Sequence, residues 1–339
     1  MVTSKSGTPS NDTISGTLGD DTLFGTSGND TIWTNFGNDV AYGGDGEDRL
    51  VGTLNKDGFF GGNDSLFGGN DDDQIYGDDG NDSMVGGDGN DSIWDGFGDD
   101  YLDGGKGNDR LDAYIGNDTL IGGPGDDTLM AGEDVAWENP PDGRETWGPD
   151  RDELRGGAGN DSLSGGAEAD LLYGGWGNDT IGGTSGNDTL YGDEGMDTLY
   201  GGENEDLMFA GADSDRLWGN EGNDSMSGDG GNDKLLGVEG NDTLVGGNGN
   251  DTLDGGSGSD IYVLEDNIGK DILQGFKNGQ DLLGLSEGLE FEDLTLKVEG
   301  SGTEILKDGK LLATISGVQL DSSDESNFVT GQFDPNSWS

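Results

Sequence analysis

An apolar residue recurs at every ninth position through most of this chain. Ile14, Leu23, Ile32, Ala41, Leu50 and Phe59 open the series; Leu66, Ile75, Met84, Ile93, Leu102, Leu111, Leu120 and Leu129 continue it, and Leu154, Leu163 and their successors carry it to Leu253. From Gly156 to Val263 twelve units run without a slip, as in GGAGNDSLS (156–164), GGWGNDTIG (174–182) and GGNGNDTLD (246–254), with the consensus GGxGxDxUx, U being apolar. A period of nine fits neither a heptad helix nor a simple alternating strand. Each unit therefore predicts a six-residue turn, GGxGxD, and a three-residue strand, xUx, whose central residue points inward and whose neighbours point outward.

The polar half of the pattern is stricter than the apolar half. Asp stands two places before each apolar residue: Asp12, Asp21, Asp30, Asp39, Asp48, Asp57, Asp64, Asp73, Asp82, Asp91, Asp100, Asp109, Asp118 and Asp127, then Asp152 beyond an irregular stretch. The series resumes at Asp161, Asp170, Asp179, Asp188, Asp197, Asp206, Asp215, Asp224, Asp233, Asp242, Asp251 and Asp260. Asp and Gly are ordinary turn residues, but ordinary turns require no fixed period.

On these residues the chain resembles the RTX (hemolysin-type calcium-binding) nonapeptide-repeat proteins. The resemblance implies an all-β fold: a parallel β-roll, that is a right-handed β-solenoid of GGxGxDxUx repeats, closed by a C-terminal β-rich cap. Two units make one coil, so residues 18 apart stack and each Asp named above becomes a metal ligand at a gap between stacked turns. Oxygen donors on flexible turns suit Ca²⁺ better than Mg²⁺, which demands octahedral geometry and gives up water reluctantly. Pairing same-edge turns gives about 20 calcium ions as the cofactor complement.

Charge strengthens that expectation. The 339 residues carry 72 Asp and Glu against 15 Lys and Arg, a formal charge of -57, and only 29% are hydrophobic. Unneutralised, such a chain should be disordered. About 20 Ca²⁺ would bring the net charge to roughly -17. The acidity argues against nucleic acid and anionic membranes as partners. Cys and His are absent, which removes disulfides, the usual general base of hydrolases, and the zinc-protease part found in some RTX enzymes. MVTSKSGTPS contains no apolar core of a signal peptide, and no stretch is long and apolar enough to span a membrane.

The domain reading is a tail at 1–6, a calcium-binding roll at 7–263, and a β cap with a secretion-signal region at 264–339. Two units depart from the period. The seventh, counted from Gly7, is two residues short (61–67), and the fifteenth carries an inserted loop near 133–151 containing Trp137, Trp147 and Arg144. Parity puts both on one edge of the roll, and it stacks Phe60 on Tyr76 in an outer ladder with Phe24, Tyr42 and Trp94. Glu168, Asn204 and Asp213 replace the fourth Gly, so their turns should bind weakly or stay empty. Asp308-Gly309 between apolar runs predicts a hairpin. The function implied is that of a bacterial protein without enzymatic activity, structural or surface-borne. It would leave by type I secretion without a cleaved N-terminal signal, fold on extracellular calcium, and have cell-surface glycans or a surface layer as partners. The alternative is a polysaccharide-modifying or glycan-binding effector on the same roll.

Overall fold

The computed structural model describes residues 3–52, 62–132, 151–266, 269–321, 325–331 and 333. The chain divides into two compact units, Met1–Trp176 and Gly177–Ser339, each an all-β parallel solenoid.

In the first unit successive strands alternate between two sheets. One sheet contains Thr3–Ser6, Asp21–Ser27, Val40–Asp45, Ser65–Asn70, Ser83–Asp88, Tyr101–Lys106, Thr119–Pro124, Glu153–Ala158 and Leu171–Trp176. The other contains the shorter Thr13–Ser15, Thr31–Trp33, Arg49–Val51, Gln74–Tyr76, Ser92–Trp94, Arg110–Asp112 and Thr128–Met130, and then Ser162–Gly166. Neighbours in a sheet are parallel and one coil apart: Leu23 lies beside Ala41, Met84 beside Leu102, and Ile93 beside Leu111. One U side chain per strand leaves water entirely, as Leu23, Ile32, Leu50, Leu66, Ile75 and Met84 do. A file one side chain wide on each sheet makes most of the core, because a three-residue strand has only one inward place, and Val51, Ala113, Ile115 and Ala131 add to it.

The two irregular units are insertions in single turns. Ala41 stacks on Leu66 and Leu50 on Ile75, 25 residues apart, seven more than a regular coil. Leu120 stacks on Leu154 and Leu129 on Leu163, 34 apart, sixteen more than a coil. Both enlarged turns follow a strand of the same sheet and so share one edge, as parity required. The stacking expected of Phe60 on Tyr76 is overturned. Phe60 and Asp57 lie outside the described residues, and Val51 holds the place beside Tyr76. The outer aromatics accordingly form two ladders in place of one, Phe24–Tyr42–Phe67 with ring centroids 5.1 and 5.0 Å apart on one sheet and Tyr76–Trp94 at 4.8 Å on the other. A seven-residue insertion close to the nine-residue period mimicked a unit, and that shifted the parity.

The second unit repeats the plan. Thr180–Ser185, Thr198–Glu203, Arg216–Glu221, Lys234–Glu239, Thr252–Ser257 and Asp271–Gln274 form one sheet. Thr189–Glu194, Leu207–Ala212, Ser225–Ser227, Thr243–Val245, Ile261–Leu264 and Leu282–Leu285 belong to the other. The nine-residue beat ends at Val263, but the coil winds on through the last strand of each sheet. Antiparallel strands Leu294–Glu299, Gly302–Lys307 and Lys310–Ile315 then close the end. Lys310–Ile315 pairs with Asp271–Gln274, and Phe328–Thr330 with Leu282–Leu285. Asp308 and Gly309 make the expected hairpin, both at positive φ. The cap buries Ile305, Ala313 and Ile315 and occupies pairing edges that would otherwise be bare.

The second place of most turns takes a left-handed backbone. In one column Thr184, Gly202, Asn220, Val238 and Gly256 have φ of 89, 127, 74, 86 and 85°. Val238 is β-branched, the residue class least suited to that region, and it is 37% exposed, so it recovers little by burial. Val238→Gly should therefore stabilise the calcium-loaded protein by about 1 kcal/mol, the released strain exceeding the entropy cost of Gly. The urea midpoint at saturating calcium should rise, and an unchanged or lower midpoint would contradict the strain.

Candidate metal site

Each turn is built so that backbone can approach backbone. At Gly123 and Gly125 in the turn Gly122–Asp127, φ is 108 and 153°, and a Cβ on either would run into the carbonyl oxygen of Gly105 or Gly107 one coil below. Gly122 is needed for another reason. A Cβ there would lie 2.5 Å from Asp127 Oδ2 and 2.6 Å from the Gly156 carbonyl oxygen, and one on Gly228 would lie 2.6 Å from Asp233 Oδ2 and 2.5 Å from the Gly246 carbonyl oxygen. The first Gly thus keeps open a space on which a carboxylate oxygen of its own turn and a carbonyl oxygen of the next turn converge.

Within each unit the Asp residues form two continuous rows. In the first unit the Asp12 N–H donates to Asp30 Oδ1 at 2.8 Å, and the same bond repeats from Asp30 to Asp48, Asp73, Asp91, Asp109, Asp127 and Asp161 at 2.6–2.7 Å. The opposite edge carries Asp21, Asp39, Asp64, Asp82, Asp100, Asp118, Asp152 and Asp170, linked at 2.6–2.9 Å. The enlarged turns do not interrupt this row, since Asp39 donates to Asp64 and Asp118 to Asp152. The Asp that follows each enlarged turn therefore keeps its place in the row.

In the second unit one row runs from Asp179 through Asp197, Asp215, Asp233 and Asp251 to Asp271 at 2.7–3.1 Å. The other runs from Asp188 through Asp206, Asp224, Asp242 and Asp260 to Asp281 at 2.9–3.2 Å. Asp271 and Asp281 escaped the nine-residue count because their coils are 20 and 21 residues long. Glu168, Asn204 and Asp213 adopt the positive φ of the Gly they replace, 68, 79 and 76°, so those turns keep their shape.

One oxygen of each carboxylate is thus held by a backbone N–H. The other is buried without a hydrogen-bond partner at Asp30, Asp48, Asp73, Asp91, Asp109 and Asp127 on one edge, and at Asp197, Asp215 and Asp233 in the second unit. Asp91, Asp197 and Asp242 are 1, 0 and 0% exposed. Burial pushes Asp73 up to about 8, against the lowering by the Asp48 N–H and with added repulsion from Asp91 and Asp48. Burial likewise takes Asp206 and Asp233 to about 8, and Asp197 and Asp242 to about 7. A hard cation meets both needs of this donor set, uncompensated charge and unpartnered oxygen, and the residues present fit calcium.

Counting by nine missed a difference between the edges. In the first unit the turns at 43, 68, 86, 104, 122 and 156 begin Gly-Gly, whereas on the opposite edge the turns at 34, 77, 95, 113 and 131 begin Thr34-Asn35, Gly77-Asp78, Asp95-Gly96, Ala113-Tyr114 and Ala131-Gly132. Comparison at a spacing of 18 would have shown it.

Residues 6–41, 24–57, 60–93, 76–111, 104–134, 148–181, 182–217, 200–235 and 236–268 match the family described as RTX calcium-binding nonapeptide repeat (4 copies). No curated protein matches the chain. Among solved structures it is similar to extracellular lipase LipA from Serratia marcescens, with 18% identity and a TM-score of 0.30, over 61% of this chain and 45% of the lipase, so it spans under half of that protein. It is also similar to a hyperactive, Ca²⁺-dependent, β-helical antifreeze protein from an Antarctic bacterium, with 17% identity and a TM-score of 0.27, over 82% of this chain and 85% of the other. The AlgE6R3 subunit of the Azotobacter vinelandii mannuronan C5-epimerase gives 21% and 0.20, over 38% and 80%. At these scores none of the three bears on activity.

The raised carboxylates set a pH dependence. With Asp near 3.8 in the unfolded chain and at about 6–8 along the rows, the metal-free fold binds more protons than the unfolded chain. Its stability therefore falls as pH rises from about 4 through about 8. In excess chelator, the far-ultraviolet β signal should be strongest near pH 4.5 and decline toward pH 8, while calcium-loaded protein holds its signal throughout. A chelated protein with no pH dependence would show that burying the rows carries no charge penalty.

Proposed function

The chain belongs to the RTX calcium-binding nonapeptide repeat family, and on that premise we propose that calcium held between successive same-edge turns is what folds it. RTX repeats bind calcium in a β-roll. The ligands proposed are the Asp of these rows, Asp12 to Asp260 as predicted except Asp57, which lies outside the described residues, and with Asp271 and Asp281 added at their ends, each working with carbonyl oxygens of the adjoining turn. The observation that carries this reading is the buried, unpartnered Oδ2 repeated turn after turn beside an open glycine. Some 20 ions per chain are proposed, rather fewer than one for each stacked pair of turns.

The biological reading follows from where such calcium is available. Sites of extracellular modules fill at about 10⁻⁴–10⁻³ M calcium, so the chain would stay unfolded in the cell and fold outside it by linkage. An unfolded chain suits passage through a type I secretion channel. A role as an exported structural or surface protein is supported by the absence of Cys and His and by the use of nearly every repeat Asp in the rows.

Chelated protein at neutral pH should be expanded and largely disordered. Millimolar Ca²⁺ should produce a cooperative β signal in circular dichroism that equal Mg²⁺ does not, and calorimetry should count about 20 ions. A full β signal in chelator at neutral pH, or a stoichiometry of only a few ions, would defeat the proposal.

A further inference from the structure

We propose that Asp82, Asp95 and Asp100 form one calcium site unlike the repeat sites, with three carboxylates converging on a single ion, and that it fills before the others. This rests on the calcium reading above and goes beyond the repeat, because Asp95 occupies the first place of its turn, where the consensus has Gly.

Oxygens from the three residues, one from each, lie within 4.8 Å of one another, the one place among the described residues where three such ligands meet. Asp82 and Asp100 are each 3% exposed. Each carboxylate has one oxygen held by a backbone N–H: Asp82 by Asp64 at 2.7 Å, Asp100 by Asp82 at 2.8 Å, and Asp95 by Gly96 at 2.8 Å. The Oδ2 atoms of all three are buried and have no hydrogen-bond partner. The carboxylates of Asp95 and Asp82 converge on one space: a Cβ on Gly77 would meet both Asp95 Oδ1 and, at 2.6 Å, Asp82 Oδ2. Asp95 thus reaches into the space that the first glycine leaves open elsewhere.

A second replacement at the first place shows what ordinary compensation looks like. On the same edge the Thr34 hydroxyl donates to Asp64 Oδ2 at 2.9 Å, giving that oxygen a partner. Once ionised, Asp95 has no donor to offer and adds negative charge beside two buried carboxylates. Among the described residues no Lys or Arg forms an ion pair with any of the three. A repeat turn offers one carboxylate oxygen and carbonyls to its ion, whereas this place offers three carboxylates. Calcium affinity rises with ligand charge at comparable geometry.

The test is a calcium titration of the full chain against a chromophoric chelator, comparing wild type with Asp95→Gly, which restores the consensus, and Asp95→Asn, which keeps the shape and removes the charge. Both variants should lose the tightest binding step, weakening it at least tenfold, while the rest of the isotherm is retained. Circular dichroism at saturating calcium verifies that each variant folds. An unchanged or tighter first step in folded Asp95→Gly would overturn the three-carboxylate site and leave the array standing. Wild type that binds no calcium would overturn both.

Discussion

Parallel stacking in strict register puts identical residues one strand spacing apart, and in this chain the stacked residue is a carboxylate. At about 4.8 Å two such charges repel by roughly 3 kcal/mol at an effective dielectric near 20. Each N–H to Oδ1 bond offsets part of that repulsion, but the buried Oδ2 atoms remain. A cation between turns converts the repelling column into an alternating one, so the metal neutralises charge and also supplies the partner that the oxygens lack. The thin core gives this requirement its force, because one inward side chain per strand leaves little apolar burial to hold the coils together against their charge.

The same constraint explains the glycines and the tolerance of the insertions. Coils can approach at strand spacing only if the turns carry no Cβ toward the neighbouring backbone, as the carbonyls facing Gly123 and Gly125 show. Extra residues between strand and Asp are tolerated, since each strand is fixed by its partners one coil away and not by the length of the turn preceding it. Asp64 and Asp152 follow enlarged turns and still accept the N–H of Asp39 and Asp118.

The inward Leu and Ile, the paired parallel sheets and the Asp rows were legible because each is a consequence of a nine-residue period. Features that belong to the 18-residue coil were not. Gly52, Asp57 and Phe59 keep the beat in the sequence, so the first insertion looked like a unit with a short neighbour, and the aromatic ladders were assigned to the wrong sheets. Asp271 and Asp281 lost the beat while keeping the fold, because a slightly longer turn changes the sequence spacing without moving the Asp out of its row. The inequality of the two edges is invisible until every second unit is compared.

That inequality shows how a repeat with one chemical idea can be varied locally. The residue at the first place stands where the unpartnered carboxylate oxygen points, so its identity decides what that oxygen meets. Gly leaves a space and a carbonyl, Ala113 and Ala131 narrow it, Thr34 fills it with a donor, and Asp95 fills it with more charge. One edge of the first unit keeps Gly there from Gly25 to Gly156, and all four replacements fall on the other. An edge that is uniform along its length will hold ions of similar affinity, whereas an edge whose first place varies can order them, so the sequence of filling becomes a property of a few side chains and not of the repeat.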